Sequence, residues 1–171
     1  MLTESAQPTY AAISASRLLK LSSLQSQFLI APPYEVVMSN TVSQPTRSVK
    51  IPGPDHPITI ERNPARVVVS LAGRTLADTR NALTLREARY PAVLYIPAED
   101  VDMTLLERTD HATYCPYKGD CAYYSIPLGG ERSVNAVWTY ETPYDAVASI
   151  KGHVAFYPDR VDAIEELDVP A

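Results

Sequence analysis

Ala112-Thr113-Tyr114-Cys115-Pro116-Tyr117-Lys118-Gly119-Asp120-Cys121-Ala122-Tyr123-Tyr124-Ser125 is the stretch on which the fold of this chain turns. Ala112 to Cys115 and Cys121 to Pro127 are strand-like, and Pro116 to Gly119 carries the residues that reverse a chain. Local chemistry alone therefore predicts a hairpin. The run also holds both cysteines and four of the eleven tyrosines. Thiol, ammonium and phenol groups gathered at one turn hint at a site. They name no reaction.

Outward from this hairpin the pattern stays extended. Upstream, Ile51-Pro52-Gly53-Pro54-Asp55-His56-Pro57 is an entry loop, because its prolines remove donors and fix φ. Ile58 to Ile60 reads as a short strand. Arg66 to Leu71 and Thr75 to Thr79 form a hairpin about the turn Ala72-Gly73-Arg74. Asn81 to Tyr90 fits neither period cleanly, and Arg86-Glu87-Ala88-Arg89 suits a helix. Val93 to Ile96 is a strand ended by Pro97. A helical turn follows over Ala98 to Val101, and the chain extends again from Met103 to Leu106. Downstream, Gly129-Gly130 marks a turn, and Val134 to Tyr140 and His153 to Tyr157 read as strands. Pro143 to Ser149 gives a short helical piece, and Asp159 to Leu167 a small terminal helix. About seven or eight strands with little helix imply one compact β-rich body.

Composition narrows the class. The chain has 171 residues and a net charge of -5, with no block of like charges. A nucleic-acid partner needs a basic stripe that is absent here. No apolar run approaches the roughly 20 residues that span a bilayer. Two cysteines are too few for a secreted disulfide scaffold, so an intracellular, cytoplasmic setting is expected. Residues 1–50 read as a disordered extension and residues 51–171 as a single β-rich domain. Within the extension, Tyr10 to Ile30 is rich in Ser, Ala and Leu and carries Arg17 and Lys20. It reads either as an organellar transit peptide or as an upstream extension with the true start at Met38.

Six segments in order and spacing carry a resemblance: Arg66-Val67-Val68-Val69, Leu76-Ala77-Asp78-Thr79, Tyr90 to Pro97, Glu99-Asp100-Val101, Cys115-Pro116-Tyr117-Lys118-Gly119 and Gly152 to Tyr157. Together they resemble the domain of unknown function 427 family over roughly residues 58 to 167. The Cys-Pro-aromatic-Lys-Gly element is the most specific of them. The resemblance implies a mainly β, antiparallel fold with short helices, of the Mss4-like or β-tent architecture. It also brings a nucleotidyltransferase-like label but no reaction. Tyr117 stands where the family usually has Trp, and Cys121 where it usually has Ala.

The candidate residues each carry two readings. Lys118 would stabilise a Cys115 thiolate if it folded back over the turn. Otherwise Cys115 is a buried small hydrophobe. A Cys115–Cys121 disulfide requires the two positions to face each other; two reduced thiols are the expectation. No metal is expected, because a structural zinc site needs four ligands and there is no second cysteine pair. His56, His111 and His153 are scattered and read as surface or packing residues. Lys118-Gly119 either holds an anion or is ordinary turn chemistry with the lysine in water. Glu87 is either an acid or base beside Arg86 or Arg80, or half of a solvated ion pair. Asp100-Val101-Asp102 evokes the carboxylates of nucleotidyltransferases. No glycine lies between Gly73 and Gly119, so the phosphate-cradling element that this chemistry needs is missing.

Tyrosine outnumbers phenylalanine eleven to two, which favours half-buried rings with polar tips. The expected site is an aromatic-lined pocket for a small polar or anionic molecule, with no cofactor. Its ligand-binding residues are Lys118, Tyr117, Tyr95, Tyr124 and Trp138, and its catalytic candidates Cys115 and Glu87. The alternatives are an enzyme using Cys115 or Glu87 on a small substrate, and a protein-interaction module using the Tyr-rich face.

Overall fold

A computed structural model describes residues 47–168. Except for Arg47 to Lys50, the expected extension, with its transit-peptide and Met38 readings, lies outside the described residues. Ten strands follow in chain order: β1 (Ile58–Arg62), β2 (Arg66–Leu71), β3 (Arg74–Thr79), β4 (Leu83–Glu87), β5 (Val93–Pro97), β6 (Glu107–Cys115), β7 (Gly119–Ser125), β8 (Val137–Thr139), β9 (His153–Phe156) and β10 (Ala163–Leu167). They form a seven-stranded sheet, in the order β1-β4-β5-β9-β8-β7-β6, and a three-stranded sheet, in the order β10-β2-β3. Every strand pair is antiparallel.

The small sheet forms because Arg66–Leu71 alternates strictly. Val67, Val69 and Leu71 are buried while Arg66, Val68 and Ser70 are half-buried, as a period of two requires. Ala72 and Gly73 turn with φ of 49° and 72°, the left-handed geometry that suits two-residue hairpins. The three buried side chains pack with Leu76, Ile96, Val137, Val154 and Phe156, which joins one face of the large sheet to the small one. Full burial of each such Val or Leu contributes roughly 1.5–3 kcal/mol.

Three segments depart from local expectation. Met103 to Leu106, expected to extend, instead makes a 3-10 turn over Met103–Leu105, with the Asp102 side chain accepting from the Thr104 N–H at its start. Asn81 to Tyr90 contains strand β4, with no helix: Leu85 pairs with Ile60 on one side and Val93 on the other. A segment paired along both edges gains more than the helix preference of Arg86 to Arg89 offers. The expected terminal helix over Asp159 to Leu167 is likewise replaced. Only Pro158–Arg160 makes a 3-10 turn, and Ala163–Leu167 becomes β10, pairing Ile164 with Val69. Ala-Ile-Glu-Glu-Leu suits a helix locally, but it completes the hydrogen bonds that β2 would otherwise leave open. Among the described residues no helix is long and apolar enough to cross a membrane.

Candidate functional site

Side chains alternate along each strand, so the large sheet has a second face. On β5, Leu94 and Ile96 join the core between the sheets, while Val93 and Tyr95 point the other way. Opposite Tyr95 on β4 is Leu83; on β7 the residues of this face are Cys121 and Tyr123, and on β8 it is Trp138. The 3-10 segment Asp145–Ile150 sets Val147 and Ile150 against them. A cleft of about 1190 Å³ is lined by Tyr95, Trp138, Tyr140, Tyr123 and Tyr157, together with Glu87, Cys115 and Lys118. Trp138 lies 4.4 Å from the Tyr157 ring and edge-on to Tyr95 at 6.5 Å.

The β6–β7 turn places the charge. Lys118 N–H donates to the Cys115 carbonyl at 3.2 Å, closing a four-residue turn with proline at its second position. Gly119 follows at φ 105°, and a Cβ there would sit 3.3 Å from the Thr142 carbonyl oxygen. Both facts call for glycine. The reversal folds the Lys118 side chain back over the sheet, where Nζ donates to Glu87 at the end of β4. Lys118 is 7% exposed, so it is not a turn lysine in water. Its ammonium also lies 5.9 Å from the Tyr140 ring centroid, within cation–π range. Glu87 holds a second partner, His56 Nε2, at 2.9 Å. The entry loop delivers that histidine through a tight Gly53–His56 turn, and Tyr117 stacks on its ring at 4.0 Å.

Burial alone would raise the Glu87 carboxyl, but the hydrogen bonds from His56 and Lys118 outweigh it and hold the group below the usual glutamate range. The sign for stability follows from that direction. Glu87 stabilises the fold fully above its unfolded value of about 4.3, and the contribution is lost as pH falls through the depressed folded value. The stability difference between wild type and Glu87→Gln should therefore shrink as pH drops below about 4.3. Urea unfolding across that range checks it, and parallel curves for the two proteins would refute it.

The sequence candidates divide. Glu87, Cys115, Lys118, Tyr95 and Trp138 line one cleft. Tyr124 does not: it packs on the core face, with Arg108 lying 5.6 Å from its ring centroid. Tyr123 already faces the cleft, and adjacent strand residues cannot share a face. Tyr117 backs His56 and is not among the residues lining the cleft. The partners of Glu87 are Lys118 and His56 rather than the neighbouring Arg86 or Arg80. His56 gave no sign in the sequence beyond its place in a proline-bounded loop. Tyr140 was visible only as one of many aromatics.

Both thiols are free. Cys115 is opposite Gly119 and Cys121 opposite Thr113, so the two cysteines are diagonal neighbours. Such neighbours lie roughly 7–8 Å apart, beyond ordinary disulfide reach. Cys121 is 2% exposed, and burial pushes its thiol up despite hydrogen bonds with Tyr123, Thr113 and Tyr140. Among the described residues no group of His, Cys, Asp and Glu has the arrangement of a metal site.

No curated protein matches the chain. The model of a family described as a domain of unknown function (DUF427) matches residues 59–167, a span that takes in the sheets, the Lys118 turn and Glu87. That span is more than half of the chain, which therefore belongs to the DUF427 family.

Proposed function

We propose that this protein binds a small polar or anionic molecule in the part of the cleft lined by Lys118, Tyr95 and Tyr140. The observation that carries the reading is a buried ammonium set among aromatic rings: Lys118, Tyr95 and Tyr140 are all under 10% exposed and all line the cleft. Concave, largely aromatic surfaces with a few placed polar groups are how small-molecule sites are built. A partner-binding surface would need those rings displayed; their burial favours the small molecule. The two free thiols support an intracellular setting.

A second reading, catalysis on the bound molecule, is favoured by Glu87 and Cys115 lining the same cleft. Glu87 is held ionised, so its role there would be that of a general base. A thermal-shift screen of metabolites against the whole chain tests binding, because a ligand of the native state raises its apparent stability. A stabilising small molecule that also perturbs the fluorescence of Trp138, the chain's single tryptophan, is the expected result. Hits that leave Trp138 unchanged would place the ligand elsewhere. For catalysis, Glu87→Gln should keep binding and lose turnover; a variant that keeps turnover removes Glu87 as the base.

A further inference from the structure

Residues 47–57 lie against the site without joining the core that supports it. None of them is in either hydrophobic cluster, and Arg47 to Ile51 are all exposed. What holds them is a row of polar and aromatic contacts. The Arg47 guanidinium bonds Asp120 and lies 5.0 Å from the Tyr114 ring centroid. The Tyr114 hydroxyl donates to the Ser48 carbonyl at 3.0 Å, and Lys50 N–H donates to the Pro116 carbonyl at 2.9 Å. His56 ends the row. Its ring stacks on Tyr117 at 4.0 Å, only 5° from parallel, and its Nε2 bonds Glu87 at 2.9 Å. Just beyond, the Pro57 carbonyl accepts from Ala88 N–H, and β1 begins.

These anchors fall at two places, the tip of the β6–β7 hairpin and the end of β4. The same two places meet in the Lys118–Glu87 ion pair. A segment with few buried apolar contacts opens at low free energy while the core stays folded. Opening this one takes His56 from Glu87 and leaves Lys118 as the carboxylate's hydrogen-bond partner among the described residues.

We propose that residues 47–56 form a strap that opens as a unit about Pro57, latched by the contacts of His56 with Glu87 and Tyr117. The position of the strap then sets how strongly Glu87 draws on the buried ammonium of the cleft. While the strap is latched, the imidazole shares the carboxylate, so an incoming anion meets weaker competition for Lys118. Once it opens, that competition rises. As regulation of the cleft, the strap rests on the small-molecule reading above.

Amide hydrogen exchange in the whole chain tests it. Lys50 N–H reports the strap, and the slowest sheet amides report global unfolding. Lys50 should exchange at least a hundredfold faster than those amides, yet more slowly than an unprotected amide. Val69→Ala removes methyls from a fully buried core position. It weakens the latched and open states alike, so the sheet amides should speed tenfold or more while Lys50 stays within about twofold. Urea below the unfolding transition should act in the same way. His56→Phe keeps a ring on Tyr117 but removes the donor to Glu87, and should speed Lys50 roughly 5- to 10-fold. Burial raises the Glu87 carboxyl and the His56 hydrogen bond opposes it, so in His56→Phe that carboxyl should titrate at higher pH by carbon-13 NMR.

Lys50 speeding in step with the sheet amides, in Val69→Ala and in urea, would mean that the strap opens only when the whole fold does. Exchange of Lys50 at the unprotected rate would mean that no strap is docked. Either result overturns the proposal. An unchanged Lys50 rate in His56→Phe would overturn the latch, and an unmoved Glu87 midpoint would overturn the link to the cleft. The metabolite screen decides the small-molecule reading separately. A strap that passes these tests while the screen finds no ligand would remain a moving segment and lose its regulatory role.

Discussion

Lys118→Met is expected to lower the stability of this protein by about 3 kcal/mol at neutral pH. Methionine keeps the length and apolar stem of lysine, so the packing against Tyr140 largely survives and the change isolates the charge. What it leaves behind is Glu87, whose side chain is 15% exposed, with His56 as its one remaining partner among the described residues. Removing one member of a buried ion pair costs about 3–5 kcal/mol, because the other stays buried and uncompensated. The residual exposure of Glu87 and its bond to His56 place this site at the lower end. Adding Glu87→Gln to Lys118→Met should recover most of the loss, since a neutral amide tolerates burial better than an unpaired carboxylate. Chemical denaturation of the two single variants, the double variant and the wild type closes the cycle. Equal stability of Lys118→Met and wild type would mean that the pair contributes nothing to the fold.

Gly129→Ala should cost a comparable amount, about 3 kcal/mol, from overpacking together with a lost buried hydrogen bond. A Cβ at Gly129 would lie 2.6 Å from Ser133 Cβ, 2.0 Å from Ser133 Oγ and 2.9 Å from a methyl of Leu71. Neither serine atom has a free direction in which to retreat. Ser133 is 0% exposed, and its hydroxyl donates to the Arg160 carbonyl at 2.7 Å. Leu71, 1% exposed, belongs to the core between the sheets. The methyl must therefore push either a buried hydrogen bond or the β2 packing. Its neighbour Gly130 is needed for a different reason: its backbone sits at φ 59° with nothing near the missing Cβ. The clash at Gly129 should shrink when Ser133 is also made glycine, and thermal melts of the single and double variants read that coupling. Additive losses would rule out Ser133 as the obstacle.

Much of this fold could be read residue by residue. The Arg66–Thr79 hairpin follows from a β-branched alternation and a glycine turn, and β6–β7 from Cys115-Pro116-Tyr117-Lys118-Gly119. The positive φ of Gly119 is equally local, since it closes the Pro116 to Lys118 reversal, whereas its approach to the Thr142 carbonyl is not. Where the reading failed, the cause lay beyond the segment. Ala163–Leu167 has the composition of a helix end but lies where β2 offers an open edge. Tyr124, expected among the ligand-binding residues, lies on the core face while Tyr123 takes the cleft face, a choice that alternation leaves open and the covering small sheet decides.

The site was legible only in part. Glu87, Lys118 and Cys115 stood out by residue type, and they do line a common cleft. Their pairing did not stand out. Local reasoning set Glu87 beside Arg86 or Arg80; Arg86 does line the cleft, but the hydrogen-bond partners of Glu87, His56 and Lys118, each lie 31 positions away. His56 sits in a loop that says only that the chain bends.

By itself, then, the sequence determined the extended periods, the turns and the residue types available for a site, because φ restrictions and side-chain alternation act within a few positions. Only the tertiary structure decided which face of the large sheet became core and which became cleft, and which cation met Glu87. Those outcomes depend on strand order, on register and on a second sheet covering one face but not the other. They are set by contacts between segments far apart in the chain, where local propensity has no voice.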